Sequence, residues 1–141
     1  MKIKLDKGAK MPLRAHPWDA GLDLFAPEGE CVYTISPCGG SVTIDTGVHV
    51  QIPEGCTGFI KAKSGLNVKH GLTCTGVIDS HYTGSIAVKI YNHHPCLRYD
   101  VKPGDKIAQL VILPCVLPEL ELVDSLEETD RGDNGFGSTG R

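Results

Sequence analysis

What most limits the folds open to this chain is a series of short period-two runs cut by turn residues. Val48, Val50 and Ile52 alternate with His49 and Gln51, and Ile86, Val88 and Ile90 alternate with Ala87, Lys89 and Tyr91. A period of two puts one face of a strand on a core and the other toward water. Breakers separate the runs: Pro37-Cys38-Gly39-Gly40, Pro53-Glu54-Gly55, His93-His94-Pro95 and Lys102-Pro103-Gly104-Asp105. Short strands with regular turns predict an all-β sandwich or barrel. A length of 141 residues suits one domain. With aromatics at 6%, its core must come mainly from Val, Ile and Leu. Ile107 to Leu113 is more uniformly apolar, interrupted by Gln109, which suits a strand buried on both faces or at a subunit contact. The one helical turn expected follows Ser64, around Leu66–Lys69, with Gly71 to end it. In the acidic stretch Glu119–Asp130, Leu120, Leu122, Val123 and Leu126 are interleaved, so part of it is expected to pair or pack.

A net charge of −3 argues against a nucleic-acid partner and against docking on an anionic membrane. No apolar run approaches the ~20 residues of a spanning helix. Met1-Lys2-Ile3-Lys4-Leu5-Asp6 lacks the apolar block of a secretory leader. A soluble intracellular protein is expected, in cytoplasm or nucleus, or in a host cell if viral. Cys31, Cys38, Cys56, Cys74, Cys96 and Cys115 are widely spread with no Cys-x-x-Cys pair. They read as free thiols, several of them small buried residues, and not as a zinc site.

Five segments could carry chemistry. The C-terminal run Arg131-Gly132-Asp133-Asn134-Gly135-Phe136-Gly137-Ser138-Thr139-Gly140 cannot be core. It holds a guanidinium that can fork onto phosphate, backbone N–H groups open to an anion, a ring that can stack on a base, and two hydroxyls. A tail that orders over a ligand is expected, following a core of residues 1–125 with the tail at 126–141. Gly76-Val77-Ile78-Asp79-Ser80-His81-Tyr82-Thr83-Gly84 reads as a β-hairpin with an elaborated turn. Asp79 there either caps its own turn beside a half-buried Tyr82, or forms a carboxylate that accepts a proton from water while the ring packs on a sugar. Lys63-Ser64-Gly65-Leu66 is either a plain Ser-capped helix start or an anion cradle. In Ala20-Gly21-Leu22-Asp23-Leu24, Asp23 is a surface strand-end residue or a carboxylate near a hydrated cation. Gln109, in Pro103-Gly104-Asp105-Lys106-Ile107-Ala108-Gln109-Leu110, needs a partner if buried, from the fold or from a ligand.

In this order, AGLDL, KSGL, GVIDSHYTG, GDKIAQL and RGDNGFGSTG resemble the five motifs of the trimeric dUTP diphosphatases (dUTPases), from about Ala20 to the C-terminus. The resemblance implies a distorted jelly-roll with at most one short helix, assembled as a homotrimer whose sites are each shared by three subunits. It implies hydrolysis of dUTP to dUMP and pyrophosphate with Mg²⁺, which limits uracil in DNA and supplies dUMP for thymidylate synthesis. Asp79 resembles the catalytic carboxylate that activates water, and Tyr82 the ring beneath the deoxyribose. The backbone of Gly76, Val77 and Ile78, with the facing strand near Ala87, resembles the part that reads uracil. Lys63, Ser64, Gly65 and Gln109 match phosphate contacts, and Asp23 matches a carboxylate that holds Mg²⁺ through water. Arg131, Gly137, Ser138 and Thr139 match residues that grip the terminal phosphates, and Phe136 matches the ring that stacks on uracil.

Three positions depart from the family pattern: Lys63 where arginine is usual, Ser85 where a carboxylate or amide is common, and Asn134 in place of a glycine. None removes a reacting group. The related dCTP deaminases use a glutamate where this chain has Lys89, so that chemistry lacks its acid and base. A non-catalytic nucleotide-binding regulator would not need Asp79, Tyr82 and the tail together, nor would a structural jelly-roll protein.

Overall fold

The computed structural model describes residues 1–132. Along the chain run β1 (Lys2–Leu5), β2 (Gly21–Phe25), β3 (Tyr33–Ile35), β4 (Gly40–Gln51), β5 (Cys56–Lys61), α1 (Ser64–His70), β6 (Leu72–Thr73), β7 (Thr75–Ile78), β8 (Ser85–Asn92), β9 (Tyr99–Val101) and β10 (Lys106–Pro114). They form two four-stranded sheets, β1-β4-β8-β6 and β2-β10-β5-β7, with β3 and β9 as a small third. This is the expected all-β jelly-roll sandwich with one short helix. The period-two reading holds on β8: Ile86, Val88 and Ile90 are buried, while Ala87, Lys89 and Tyr91 are exposed. Ile44, Val48 and Val50 of β4 join them, and Leu22, Leu24, Ile60, Ile107 and Leu110 of the other sheet complete one aliphatic core. Gly71, with φ of 66°, ends α1 and donates its N–H to Asn67 O at 2.8 Å.

Several expectations change. β10 is central, paired with β2 on one side and β5 on the other, yet only Ile107, Ala108 and Leu110 of it are buried. Leu113 is exposed. The stretch 119–130 forms no strand, and among the described residues every one from 116 to 132 is exposed, Leu120, Leu122 and Leu126 included. Among the cysteines only Cys74 is buried; Cys31, Cys38 and Cys96 are exposed. Burial pushes the Cys74 thiol up to about 11, which makes it an inert core residue.

Candidate active site

Two clusters emerge, and the four core motifs divide between them. The first is built on neighbouring strands. Register places Gln109 of β10 opposite both Asp23 of β2 and Lys61 of β5. Asp23 is not a surface residue: it is 4% exposed and lies in mid-strand. Its Oδ1 takes the ammonium of Lys63, and its Oδ2 lies 2.8 Å from Lys106 Nζ. Burial pushes this carboxyl up, but the hydrogen bonds and charges of Lys106 and Lys63 outweigh that and hold it below the ordinary carboxylate range. Two ammonium groups around one carboxylate leave a net positive charge, which favours an anion. Gln109 finds a partner in the fold: its Nε2 donates to Ala62 O at 3.1 Å, and its amide lies against Gly21. That bond holds the strand end from which Lys63 and Ser64 depart.

Ser64 is not the helix cap. Lys63 occupies that position with extended backbone and no side-chain capping bond, and Ser64 is the first helical residue. Ser64 and Gly65 are exposed, and a Cβ built on Gly65 meets nothing within 4 Å. The packing of the chain therefore does not require a glycine there.

Asp23 also bears on a metal. An ionised carboxylate offers about four acceptor sites. One ammonium on each oxygen leaves capacity for a metal-bound water but little for direct ligation. Among the described residues no group of three or more His, Cys, Asp or Glu is arranged to hold a metal ion. With both ammonium groups in place the cluster is net positive, so Asp23 could meet a hydrated divalent cation only if a bound anion offset that charge.

The second cluster is the turn between β7 and β8. Its arms do not pair with each other as a hairpin's would. β7 pairs with β5 in one sheet, and β8 pairs with β4 in the other. The segment thus crosses from sheet to sheet: β7 is the edge strand of its sheet, and β8 is paired with β4 at Ala87 and with β6 only at Tyr91 and Asn92, so near Ala87 its second side has no strand partner among the described residues. Asp79 is exposed just past β7. Tyr82 donates its N–H to Asp79 O at 3.0 Å and its hydroxyl to Ser85 O at 2.9 Å. Its ring folds over Gly84, where an added Cβ would lie 2.5 Å from the phenol oxygen. A side chain at this position would displace the ring. Ser85 donates its hydroxyl to Asp45 Oδ1, so this departure from the family pattern has a partner of its own.

The two clusters attach to opposite ends of β7. Thr75 pairs with Lys61, beside the first, and Ile78 pairs with Gly58, beside the second. Three residue steps separate them, about 10 Å along a strand. Sequence reasoning missed Lys106 as a partner of Asp23, although it stands in the quoted GDKIAQL run. Of the tail, Arg131 is exposed at the end of the described residues, while Phe136, Gly137, Ser138 and Thr139 lie outside them.

A family profile described as dUTPase matches residues 7–140. The chain belongs to the dUTPase family. The deoxyuridine 5'-triphosphate nucleotidohydrolase of Leifsonia xyli subsp. xyli is 42% identical over 134 residues, covering 93% of this chain and 86% of the relative. Among solved structures, the Staphylococcus bacteriophage 80alpha dUTPase with dUPNHPP matches with a TM-score of 0.88 and 35% identity, covering 99% of this chain and 98% of that one. A mutant dUTPase of phage phi11 of S. aureus, whose structure describes coordination of a structural Mg(II) ion, matches with a TM-score of 0.79 and 32% identity, covering 90% of this chain and 98% of that one. The family match spans both clusters and most of the segment that follows them.

Proposed function

We propose that Asp79 activates the attacking water in the hydrolysis of dUTP to dUMP and pyrophosphate, the reaction named for this chain's family relatives. One observation carries the reading: the segment around Asp79 bridges two sheets, leaving two free backbone edges with a carboxylate and a ring between them. Uracil presents acceptor, donor and acceptor along one edge, which peptide groups of Gly76, Val77, Ile78 and the strand near Ala87 can match. Tyr82, pinned by Ser85 and Gly84, forms a flat floor for the deoxyribose and leaves little room for a 2′-hydroxyl. Asp79 takes the proton of the water as its oxygen bonds to phosphorus, and pyrophosphate leaves.

Lys63, the backbone of Ser64 and Gly65, and the remaining N–H of Gln109 hold the phosphates. Asp23 would hold Mg²⁺ through water, and that ion would supply neutralisation of phosphate charge and orientation of the leaving group. The acceptor capacity left on Asp23 supports this assignment; a dUTPase mutant of phage phi11 is described with a structural Mg(II) ion, which supports magnesium in the family but not this position. Arg131, Gly137, Ser138 and Thr139 of the tail, residues 126–141, close over the terminal phosphates, and Phe136 stacks on uracil. Closure over the 1–125 core excludes water and strengthens the polar contacts.

The working unit is a homotrimer. The separation of the two clusters along β7 and the exposed Leu120, Leu122 and Leu126 support sites shared between chains. No described helix is long and apolar enough to cross a membrane. The exposed free thiols suit a reducing intracellular compartment.

Pyrophosphate release with Mg²⁺ should be strong from dUTP and weak from UTP, dTTP and dCTP. Equal hydrolysis of UTP or dTTP removes the role given to Tyr82 and the two edges. Mixing an Asp79→Asn chain with a chain ending at Asp130 should restore part of the activity. A strictly monomeric mass by sedimentation rules out shared sites.

A further inference from the structure

His49 belongs to none of the five motifs. It sits on β4 opposite Ser85, just past a register shift between Asp45 and His49 in which Gly47 takes φ of 64°. Its ring reaches the turn that carries Asp79 and Tyr82. Nδ1 lies 2.8 Å from the carbonyl oxygen of Thr83, and Nε2 lies 2.9 Å from Asp6 Oδ2. Both partners are acceptors only: a peptide carbonyl has no proton to give, and neither has an ionised carboxylate. A neutral imidazole has one N–H and can satisfy one of them. The imidazolium satisfies both.

The same shift places Asp6, whose N–H donates to Gly47 O at 2.9 Å. Other charges around the ring come from two strands. Lys4 of β1 pairs with Asp6 at 3.4 Å, and Lys2 of β1 lines the same groove as His49 and Thr83. Asp45 of β4 is turned away, toward Ser85 Oγ and the N–H of Gly47. From the 79–84 turn, the Thr83 carbonyl is the group that meets the ring.

We propose that His49, as an imidazolium, is a positioning residue that clamps the 79–84 turn to β4 and so sets Asp79 and Tyr82 for reaction. This rests on the roles given above to those two residues. Contacts are continuous from His49 to Thr83, to its neighbour Tyr82, and on to Asp79 O and Ser85 O. The hydrogen bond to Asp6 raises the His49 pKa above its ordinary 6.5 and the Thr83 carbonyl adds to this; partial burial and Lys4 oppose them. A raised histidine pKa means that the clamp is complete on the acid side and is lost as pH rises through the folded value.

The test uses the full-length protein without nucleotide. The His49 ring and the amides of Tyr82, Thr83 and Gly84 are followed together by NMR as pH rises. One shared midpoint above 6.5 is expected. Asp6→Asn should lower that midpoint and move the alkaline limb of kcat down with it. His49→Gln should abolish the shared titration and reduce kcat roughly tenfold, as for loss of one charged hydrogen bond. Amides that ignore the His49 titration, or an alkaline limb that stays in place in Asp6→Asn, overturn the proposal. The NMR readings need no turnover, so they remain valid if Asp79→Asn keeps its activity and the general-base reading fails instead.

Discussion

The Asp23 cluster and the 79–84 turn differ in how much of their geometry one chain supplies. Asp23 is buried between paired strands, and each of its oxygens meets an ammonium group. Its position follows from the registers of β2, β10 and β5, which the aliphatic core enforces. Asp79 stands on an exposed turn between arms that never pair, held by Tyr82, Gly84 and the contact of Thr83 with His49. Under the proposed reading, the cluster that holds phosphate can be rigid before substrate arrives. A centre that must admit a base, a sugar and a water needs an open face, and the turn leaves one.

The sharpest break in that comparison is Asp79→Asn. Its side chain makes no contact on which packing depends, so thermal stability should be unchanged while kcat falls by ~10²–10⁴-fold, the usual cost of a lost general base. A loss below about tenfold would assign water activation to another group.

Asp23→Asn should lower stability as well as activity, and stability is its distinguishing readout. It removes the carboxylate that gathers Lys63 and Lys106. Both lysines keep access to water, so the expected loss is about 1–2 kcal/mol by denaturant unfolding. Because the folded pKa of Asp23 is depressed, its contribution is present above the unfolded value and lost as pH falls through the folded one. The wild type and the variant should therefore converge in acid. A constant gap across pH would mean that packing, and not charge, accounts for the difference.

Gly84→Ala puts a methyl group into the space of the Tyr82 ring. The ring must swing away from Ser85 O, at a cost of about 1 kcal/mol for one neutral hydrogen bond. The expected result is a several-fold lower kcat/KM for dUTP and weaker rejection of UTP, with the fold intact by circular dichroism. Unchanged discrimination would detach Tyr82 from sugar selection.

The smallest effect belongs to Lys63→Arg. A fork in place of a point charge can hold Asp23 and a phosphate together, but at a partly exposed site this amounts to less than about 1 kcal/mol. KM for dUTP should fall by no more than about fivefold. A larger change would mean that the ammonium group limits phosphate binding.

Much of this was legible in the chain itself. Alternating Ile, Val and Leu with regular breakers set the all-β class, because a period of two and a turn every few residues are local properties. The helix after Lys63 and its stop at Gly71 are local for the same reason. The candidates Asp23, Asp79, Tyr82 and Gln109 could likewise be picked out in motif order, and their roles stand as proposals. What no local pattern carries is pairing at a distance. That β7 and β8 separate into different sheets, that Asp23 gathers Lys63 and Lys106, that Gln109 serves Ala62, and that His49 reaches Thr83 all depend on strand registers between segments tens of residues apart. Those registers are decided by which apolar faces can be buried together, and that is a property of the folded core.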